Sequence, residues 1–494
     1  MKLKVIDCSE AHFRPRRAGA RLVHCAGILL CCAFAAGCPS RSRGKLRLHD
    51  GALPNILLIT IDTLRADHVG CYSDRFGRLT PHLDRFAAGA TVFAHATTPA
   101  PATLPALASL HTGLYPGRHP LRVNAGRLPD HVPLLAEILR AHGYATAGYF
   151  GNALVGPESG LGRGFETYES FVAYLGGSSD VRGADLARAW IANPPRSPWF
   201  LWVHFMDPHG PYNSAPIAWS EKLDTPDPLP DRELTISETN YGLNVIPKYQ
   251  ALPGLRHAAE YRRRYRGEIR FCDEQLGRLL SGLDERDPER KTLVIITADH
   301  GEDLGERASY FQHGWLPYED ALHVPLLIRL PEHPGKAERV QDPVSLVDLV
   351  PTLLTGLDLP AAGAVEGRDI APLWRGQSLP MAPVFAVTAY LNQMSVVRLG
   401  SWKLVHTPPP PTSVQNDPWA GFYRTDERFE LYDLDADPAE AHNLYQGQGA
   451  RADRLWAELA RWQSVHQVPV GQRMAPPLDA TTRQRLEALG YGAP

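Results

Sequence analysis

A chain of 494 residues with 44% hydrophobic composition can bury a sizeable core and holds one large domain or two unequal ones. Its 51 basic and 54 acidic residues nearly cancel, to a formal charge of −3, and lie scattered, which excludes the electrostatic footprint of a nucleic-acid partner. Five of the seven cysteines lie at or before Cys38, so the rest of the chain, with only Cys71 and Cys272, has neither a disulfide framework nor a cysteine zinc site.

The elements in chain order begin with a segment of a different kind. Basic residues in HFRPRRAGAR precede the apolar run from Leu22 to Cys38, which is too short to span a bilayer comfortably and has the form of a secretion signal. Its last four residues, AAGC, resemble a bacterial lipobox in which Ala35 stands where leucine is usual. The resemblance implies a lipoprotein-type signal peptide over residues 1–38, with Cys38 as the lipidated first residue of the mature chain and its membrane anchor. It also implies an extracytoplasmic location, in the periplasm or cell envelope of a bacterium. A plain signal peptide cut nearby and a retained signal anchor are the alternatives. Residues 39–53 read as a polar tether.

From residue 54 short apolar strands alternate with amphipathic helices, the pattern of an α/β fold with a mostly parallel central sheet flanked by helices. NILLITID is the first strand, and its apolar run stops at Asp62; TPHLDRFAAGA follows as a helix. TLPALASLHTG, residues 103–113, reads as a turn into a short helix. Pro105 suits the first helical position, Gly113 the left-handed stop, and Thr103 stands just ahead, where a hydroxyl caps a helix start. HVPLLAEILRAHG is helical, ATAGYF and WFLWVHF are strands, and EYRRRYRGEIRFCDEQLGRLLSGL is a long helix on which Arg262, Arg263 and Arg264 read as a solvated face. TLVIITAD and VPLLIRL complete the sheet of a domain expected over 54–380. VVRLGSWKLVHT and ERFELYDLDAD, punctuated by a turn at Gly400, read as strands of a small antiparallel sheet in a C-terminal α+β subdomain over 381–470, followed by a tail over 471–494.

Polar residues at the carboxyl ends of parallel strands face the crevice in which such sheets bind ligands. Two of those ends carry acids here: Asp62 closes the first strand, and ADHGE puts Asp299 and His300 at the end of a later one. Carboxylates and an imidazole gathered at one sheet edge suit a divalent metal ion, and a hydroxyl that joins them has its pKa lowered by the metal. Helix capping is the other role that spacing alone leaves open to the two acids. Thr103 takes on catalytic interest only in their company.

Six segments, NILLITIDTLRADHVGCY, TLPALASLHTG, HFMDPHGPY, TADHGEDLGE, HGWLPYEDALHVPLLIRLP and ELYDLDADPAEAHNL, occur in the order in which similar segments occur in sulfatases of the alkaline phosphatase superfamily. The resemblance covers nearly everything from Asn55 to Leu444. It implies that Asp62, Asp299 and His300 hold one divalent metal together with Thr103, which stands at the nucleophile position. It further implies that His209 of DPHGPY works on the substrate or leaving group, that Lys403 of SWKLVH contacts the sulfate or phosphate, and that His313 of QHG is an active-site histidine. A hydrogen-bonded loop position is the alternative for His209 and His313.

The chain also departs from what it resembles. Thr63 stands where many sulfatases have a second metal-binding aspartate. In the pattern C-x-P-S-R, Thr103 replaces the cysteine or serine that is oxidised to formylglycine and Leu107 replaces the arginine, so no formylglycine is expected. ATAGYFGNAL lacks the lysine and histidine of the usual GKWH-like stretch. Family habit implies calcium, whereas two carboxylates, a hydroxyl and an imidazole suit zinc or manganese. The implied function is metal-dependent hydrolysis of an anionic substrate, a sulfate or phosphate ester. The first alternative is a phosphodiesterase or phosphoryl-group transferase resembling the phosphoethanolamine transferases; the second is an inactive, anion-binding surface lipoprotein.

Lipidation at Cys38 is checked by feeding cells a radiolabelled fatty acid. Label is expected on the wild-type chain and absent from Cys38→Ser; label that persists on Cys38→Ser refutes the anchor.

Overall fold

The run NILLITI forms a strand, Asn55–Ile61, buried on both faces from Ile56 onward, as suits leucine and isoleucine inside a parallel sheet covered by helices. In the computed structural model of the protein the described residues are Leu48, 51–172, 178–223, 225–331, 338–390, 392–409 and 426–466. The expected signal peptide, Cys38, most of the tether and the C-terminal tail lie outside the described residues. Among the described residues, no helix is long and apolar enough to cross a membrane.

Across the central sheet the strands run Glu338–Val340, Thr91–Phe93, Leu326–Arg329, Thr292–Ala298, Asn55–Ile61, Trp199–Phe205, Ala145–Phe150 and Thr167–Ser170. The fold is therefore α/β, with a mostly parallel central sheet, flanking helices and a separate, smaller antiparallel sheet. The 29-residue helix Ala258–Arg286 packs against helices Asp180–Ala192, Pro81–Ala87 and Ala218–Glu221. Register sets the site: Ile61 lies opposite both Ala298 and Phe205, so Asp62 and Asp299 leave the sheet side by side.

VPLLIRL differs from a simple parallel strand. Leu326–Arg329 runs against both of its neighbours. A parallel return needs a crossover of a dozen or more residues, usually a helix. The chain from Asp299 to Pro325 instead makes a two-stranded hairpin, Asp303–Leu304 with Tyr310–Gln312, and a four-residue helix, Glu319–Leu322. It stays at the carboxyl edge and re-enters the sheet from there.

Two local expectations are corrected. Arg262 is not on a solvated face: it is buried, paired with Asp227 at 2.6 Å, and donates to the carbonyls of Leu229, Pro230 and Leu304. Arg263 and Arg264 pair with Glu260 on their own helix. The helix after Ala102 spans Thr103–Thr112, so Thr103 is its first residue and Pro105 its third. Gly113 takes the left-handed stop, at φ 71°, as expected.

The smaller sheet is antiparallel throughout, in the order Val384–Val387, Ser395–Leu399, Trp402–Thr407 and Arg428–Asp433, with Gly400 at φ 63° in the second turn. Helix Gly449–His466 packs on it. Trp462 of that helix stacks on Phe385 of the sheet, at 5.2 Å between ring centroids, and meets Tyr115 of the large domain edge-on at 5.7 Å. These aromatic contacts join the two layers.

Two buried histidines belong to the Thr103 helix and the segment after it. His111 packs against Trp202, and His119 lies 2.8 Å from Ser109 Oγ. Burial pushes both down to about 3. The unfolded chain takes up these protons below about pH 6.5 while the folded chain refuses them until about pH 3, so stability is lost as pH falls through that window, by about 2 kcal/mol per histidine at pH 5. In urea titrations, the stability difference between wild type and His119→Gln is expected to move by about 2 kcal/mol in favour of the variant between pH 7.5 and pH 5.

Candidate active site and metal centre

Four adjacent strands each deliver one polar side chain to the same place at the carboxyl edge. Asp299 follows Thr292–Ala298, Asp62 follows Asn55–Ile61, His204 sits near the end of Trp199–Phe205, and Asn152 follows Ala145–Phe150. All four are buried. Asn152 Nδ2 donates to Asp62 Oδ2 at 2.7 Å. The backbone amides of Thr63 and His300 donate to Asp299 Oδ1 at 3.3 and 2.9 Å, with Thr63 held at φ 56°. Asp62 Oδ1, Asp299 Oδ2, His204 Nε2 and Thr63 Oγ1 are buried without a hydrogen-bond partner.

His300 joins this group. Its Nδ1–H donates to the carbonyl of Gly301 at 2.8 Å, and because a carbonyl only accepts, the lone pair is on Nε2. That atom lies 3.4 Å from Asp299 Oδ2, 3.7 Å from Asp62 Oδ1 and 3.2 Å from Thr103 Oγ1. The first turn of its helix therefore brings the hydroxyl of Thr103 to His300, whose Nε2 faces both acids. The Leu104 amide of the same turn donates to Asn124 Oδ1 at 2.9 Å.

The electrostatics follow from burial. Burial alone would raise Asp62, but the nearby rings of His209, His204 and His300 hold it well below the usual carboxylate range. Burial, and then the charge of Asp62, push Asp299 well above it. Burial lowers His300 to about 3. Two carboxylates this close, each with an oxygen lacking a partner and facing an unprotonated imidazole, form a donor set that a divalent cation satisfies. Asp62, Asp299 and His204 also offer ligand atoms within 4.8 Å of one another. The residues present fit a divalent metal.

His209 and His313 line the same space from two loops. The amides of Met206 and Asp207 donate to Asp180 at 2.8 and 3.2 Å, which pins the loop that carries His209. His209 Nδ1–H donates to the Gly210 carbonyl at 2.7 Å, and His313 Nδ1 lies 3.1 Å from Glu302 Oε1. The ring of His313 is 5.1 Å from that of His209 and 4.4 Å from that of His300. Burial lowers His209, lowers His313 to about 4 and raises Glu302 to about 7. Tyr212 donates to the other oxygen of Glu302, and Tyr249, from the long segment 213–257, lies beside His209.

The profile of the sulfatase family, described as "Sulfatase", matches residues 54–359. The chain belongs to the sulfatase family. A second profile, "N-sulphoglucosamine sulphohydrolase, C-terminal", matches residues 305–464. Among curated sulfatases, the choline-sulfatase of Rhizobium meliloti is 27% identical, over 81% of this chain and 84% of that protein. The delta 4,5-hexuronate-2-O-sulfatase of Bacteroides thetaiotaomicron is 25% identical, over 79% and 84%. The crystal structure of the phosphonate monoester hydrolase of Agrobacterium radiobacter shares the fold, with a TM-score of 0.65 at 23% identity over 83% of this chain and 95% of that one.

The structure thus gathers Asp62, Thr103, Asp299, His300, His209 and His313, but it gives Lys403 other work. The Lys403 ammonium is buried 2.8 Å from Glu319 and 2.7 Å from Glu440. Glu319 also takes Arg398, and Glu440 also takes Arg307, which pairs with Asp320. A lysine neutralised by two carboxylates is a poor cation for an anionic ester. Its link to the site is indirect: the carbonyls of Ala321 and Asp320 accept the amides of Gly301 and Glu302. His204, Asn152 and Glu302 are site residues that sequence reasoning missed. A histidine inside the apolar run WFLWVHF, opposite the polar Thr60 of the neighbouring strand, was the signal for the first.

Lys403→Met is expected to cost about 3–5 kcal/mol in urea denaturation, because two buried carboxylates each lose one of their two cations. Breaking the exposed Arg182–Glu169 pair by Arg182→Ala is expected to cost under about 1 kcal/mol in the same assay.

Proposed function

We propose that this chain is a metal-dependent hydrolase of sulfate or phosphate esters in which the hydroxyl of Thr103 is the nucleophile. The observation that carries the proposal is the position of Thr103 Oγ1, 3.2 Å from His300 Nε2 and at the first residue of a ten-residue helix, beside the carboxylates of Asp62 and Asp299. Asp62, Asp299 and His300 would hold the ion, which supplies Lewis-acid charge that lowers the pKa of a neighbouring hydroxyl and offsets the charge of the ester.

The remaining work falls to side chains of this chain. Thr103 Oγ1 gives up its proton as it bonds to sulfur or phosphorus, the bond to the leaving oxygen breaks, and the proton released from Thr103 passes to that oxygen. His209 and His313 have Nδ1 committed to Gly210 and Glu302, so Nε2 is the atom each turns to the substrate. The positive end of the Thr103 helix favours charge that builds up at its first turn. Water then cleaves the threonine ester; an alcohol in place of water would make the same site a transferase.

The names of the two relatives support sulfate esters, and an unmodified threonine supports phosphate esters, since it carries no formylglycine hydrate. We place the reaction outside the cytoplasm, on the support of the signal-like run from Leu22 to Cys38.

Purified protein assayed on nitrophenyl sulfate, nitrophenyl phosphate and bis(nitrophenyl) phosphate tests the proposal. Thr103→Ala is expected to lose about 100-fold or more in turnover at matched melting temperature and metal content, and Thr103→Ser to keep substantial activity. Equal turnover of wild type and Thr103→Ala on whichever ester is cleaved overturns it.

A further inference from the structure

His204 lies next to the two carboxylates, yet neither the proposed nucleophile nor the proton-handling histidines need it. We propose that His204 Nε2 is a direct ligand of the divalent ion. The centre then holds two imidazoles and two carboxylates, and it takes zinc or manganese in preference to calcium. This rests on the reading above that an ion sits between Asp62 and Asp299.

Geometry argues against a plain hydrogen bond. His204 Nε2 is 3.4 Å from Asp62 Oδ2, whereas a ring nitrogen bound to a carboxylate comes to about 2.7–2.9 Å. Asp62 Oδ2 accepts from Asn152 at 2.7 Å and keeps a second lone pair for an ion. His204 Nε2 has no hydrogen-bond partner although its side chain is fully buried, and an imidazole nitrogen left in that state is costly unless something else occupies it.

The separations match donors around one ion. Two ligands at about 2.0–2.2 Å from a tetrahedral centre stand about 3.3–3.6 Å apart. His204 Nε2 to Asp62 Oδ2 is 3.4 Å, and His300 Nε2 to Asp299 Oδ2 is 3.4 Å. Each carboxylate thus has one imidazole at ligand spacing.

The ring is also held as ligating histidines are. Its Nδ1 lies 2.9 Å from Thr60 Oγ1, and that oxygen accepts Trp202 Nε1–H at 3.0 Å. Thr60 and His204 are register partners on adjacent strands, so the orientation is built into the sheet. The Thr60 hydroxyl fixes the direction of the ring, and in the tautomer in which it accepts Nδ1–H the Nε2 lone pair faces the carboxylates, which is the form that binds a metal. Two negative charges balance a dication without excess. Two nitrogen donors disfavour calcium, which takes six to eight oxygens, and favour a first-row transition ion.

The test uses the full chain stripped by a chelator and reloaded with zinc. X-ray absorption at the zinc edge is expected to count two imidazoles in wild type and one in His204→Leu. Competition titrations are expected to show zinc affinity lower by about 100-fold or more in His204→Leu, and calcium affinity changed by less than about 3-fold. Thr60→Val keeps the ring and removes its anchor, so it is expected to weaken zinc by about 10–100-fold with two imidazoles still counted. A wild-type centre with a single imidazole overturns the ligand and leaves the ion between Asp62 and Asp299 standing, as does a His204→Leu protein with unchanged zinc affinity. Failure of wild type to bind any divalent ion overturns both readings. If His204→Leu does not fold, the wild-type count and Thr60→Val decide.

Discussion

Asp62 and Asp299 stand side by side out of reach of water because their strands are parallel, adjacent and in register, and two like charges in that position oppose folding unless something compensates them. Much of the surrounding structure can be understood as that compensation. Amides of Thr63 and His300 and the amide side chain of Asn152 satisfy one oxygen of each acid, and the imidazole of His300 faces the other two. What hydrogen bonds leave over is a pair of carboxylate oxygens turned toward shared space, which is the requirement of a cation site.

Around that pair the histidines are fixed by the same device, repeated. His300 and His209 each spend Nδ1 on the carbonyl of the next residue, and His313 spends it on Glu302. Each ring is thereby held in direction before any ligand arrives, which lowers the reorganisation needed during reaction. Glu302 is itself held by Tyr212 from the far side of the loop. The site is assembled from loops at one sheet edge, yet its orienting contacts run to backbone and buried carboxylate, so the loops behave as part of the scaffold.

The sheet and its acids were legible because both follow from local pattern: apolar runs of strand length that end on Asp62 and Asp299 give the strand ends and the ligand edge at once. The position of Thr103 was legible as a helix start, but its role was not, since only the tertiary fold brings residue 103 to residue 300. His204 looked like one histidine in a buried strand, and a period-two pattern cannot say which polar side chain meets a neighbour at ligand distance. Lys403 was misjudged for the opposite reason. Its charge invited an anionic partner, and the partners turned out to be Glu319 and Glu440, more than eighty residues before it and nearly forty after. Arg262 misled in the same way, for its carboxylate, Asp227, lies in a segment without helical or strand pattern.

The buried ion pairs that absorb Lys403 bear on how the chain can be divided. Arg398, Lys403 and Glu440 come from the smaller sheet and the segment after it, whereas Glu319, Asp320 and Arg307 come from the loop that also carries His300, Glu302 and His313. Cutting the gene near residue 380 would leave Glu319 without either of its cations and Arg307 without Glu440, and it would strip Trp462 from Tyr115. The two sheets are thus separable on a topology diagram but form one inheritable unit. Recombination that swaps the C-terminal half between relatives will succeed only where this charge pattern travels with it.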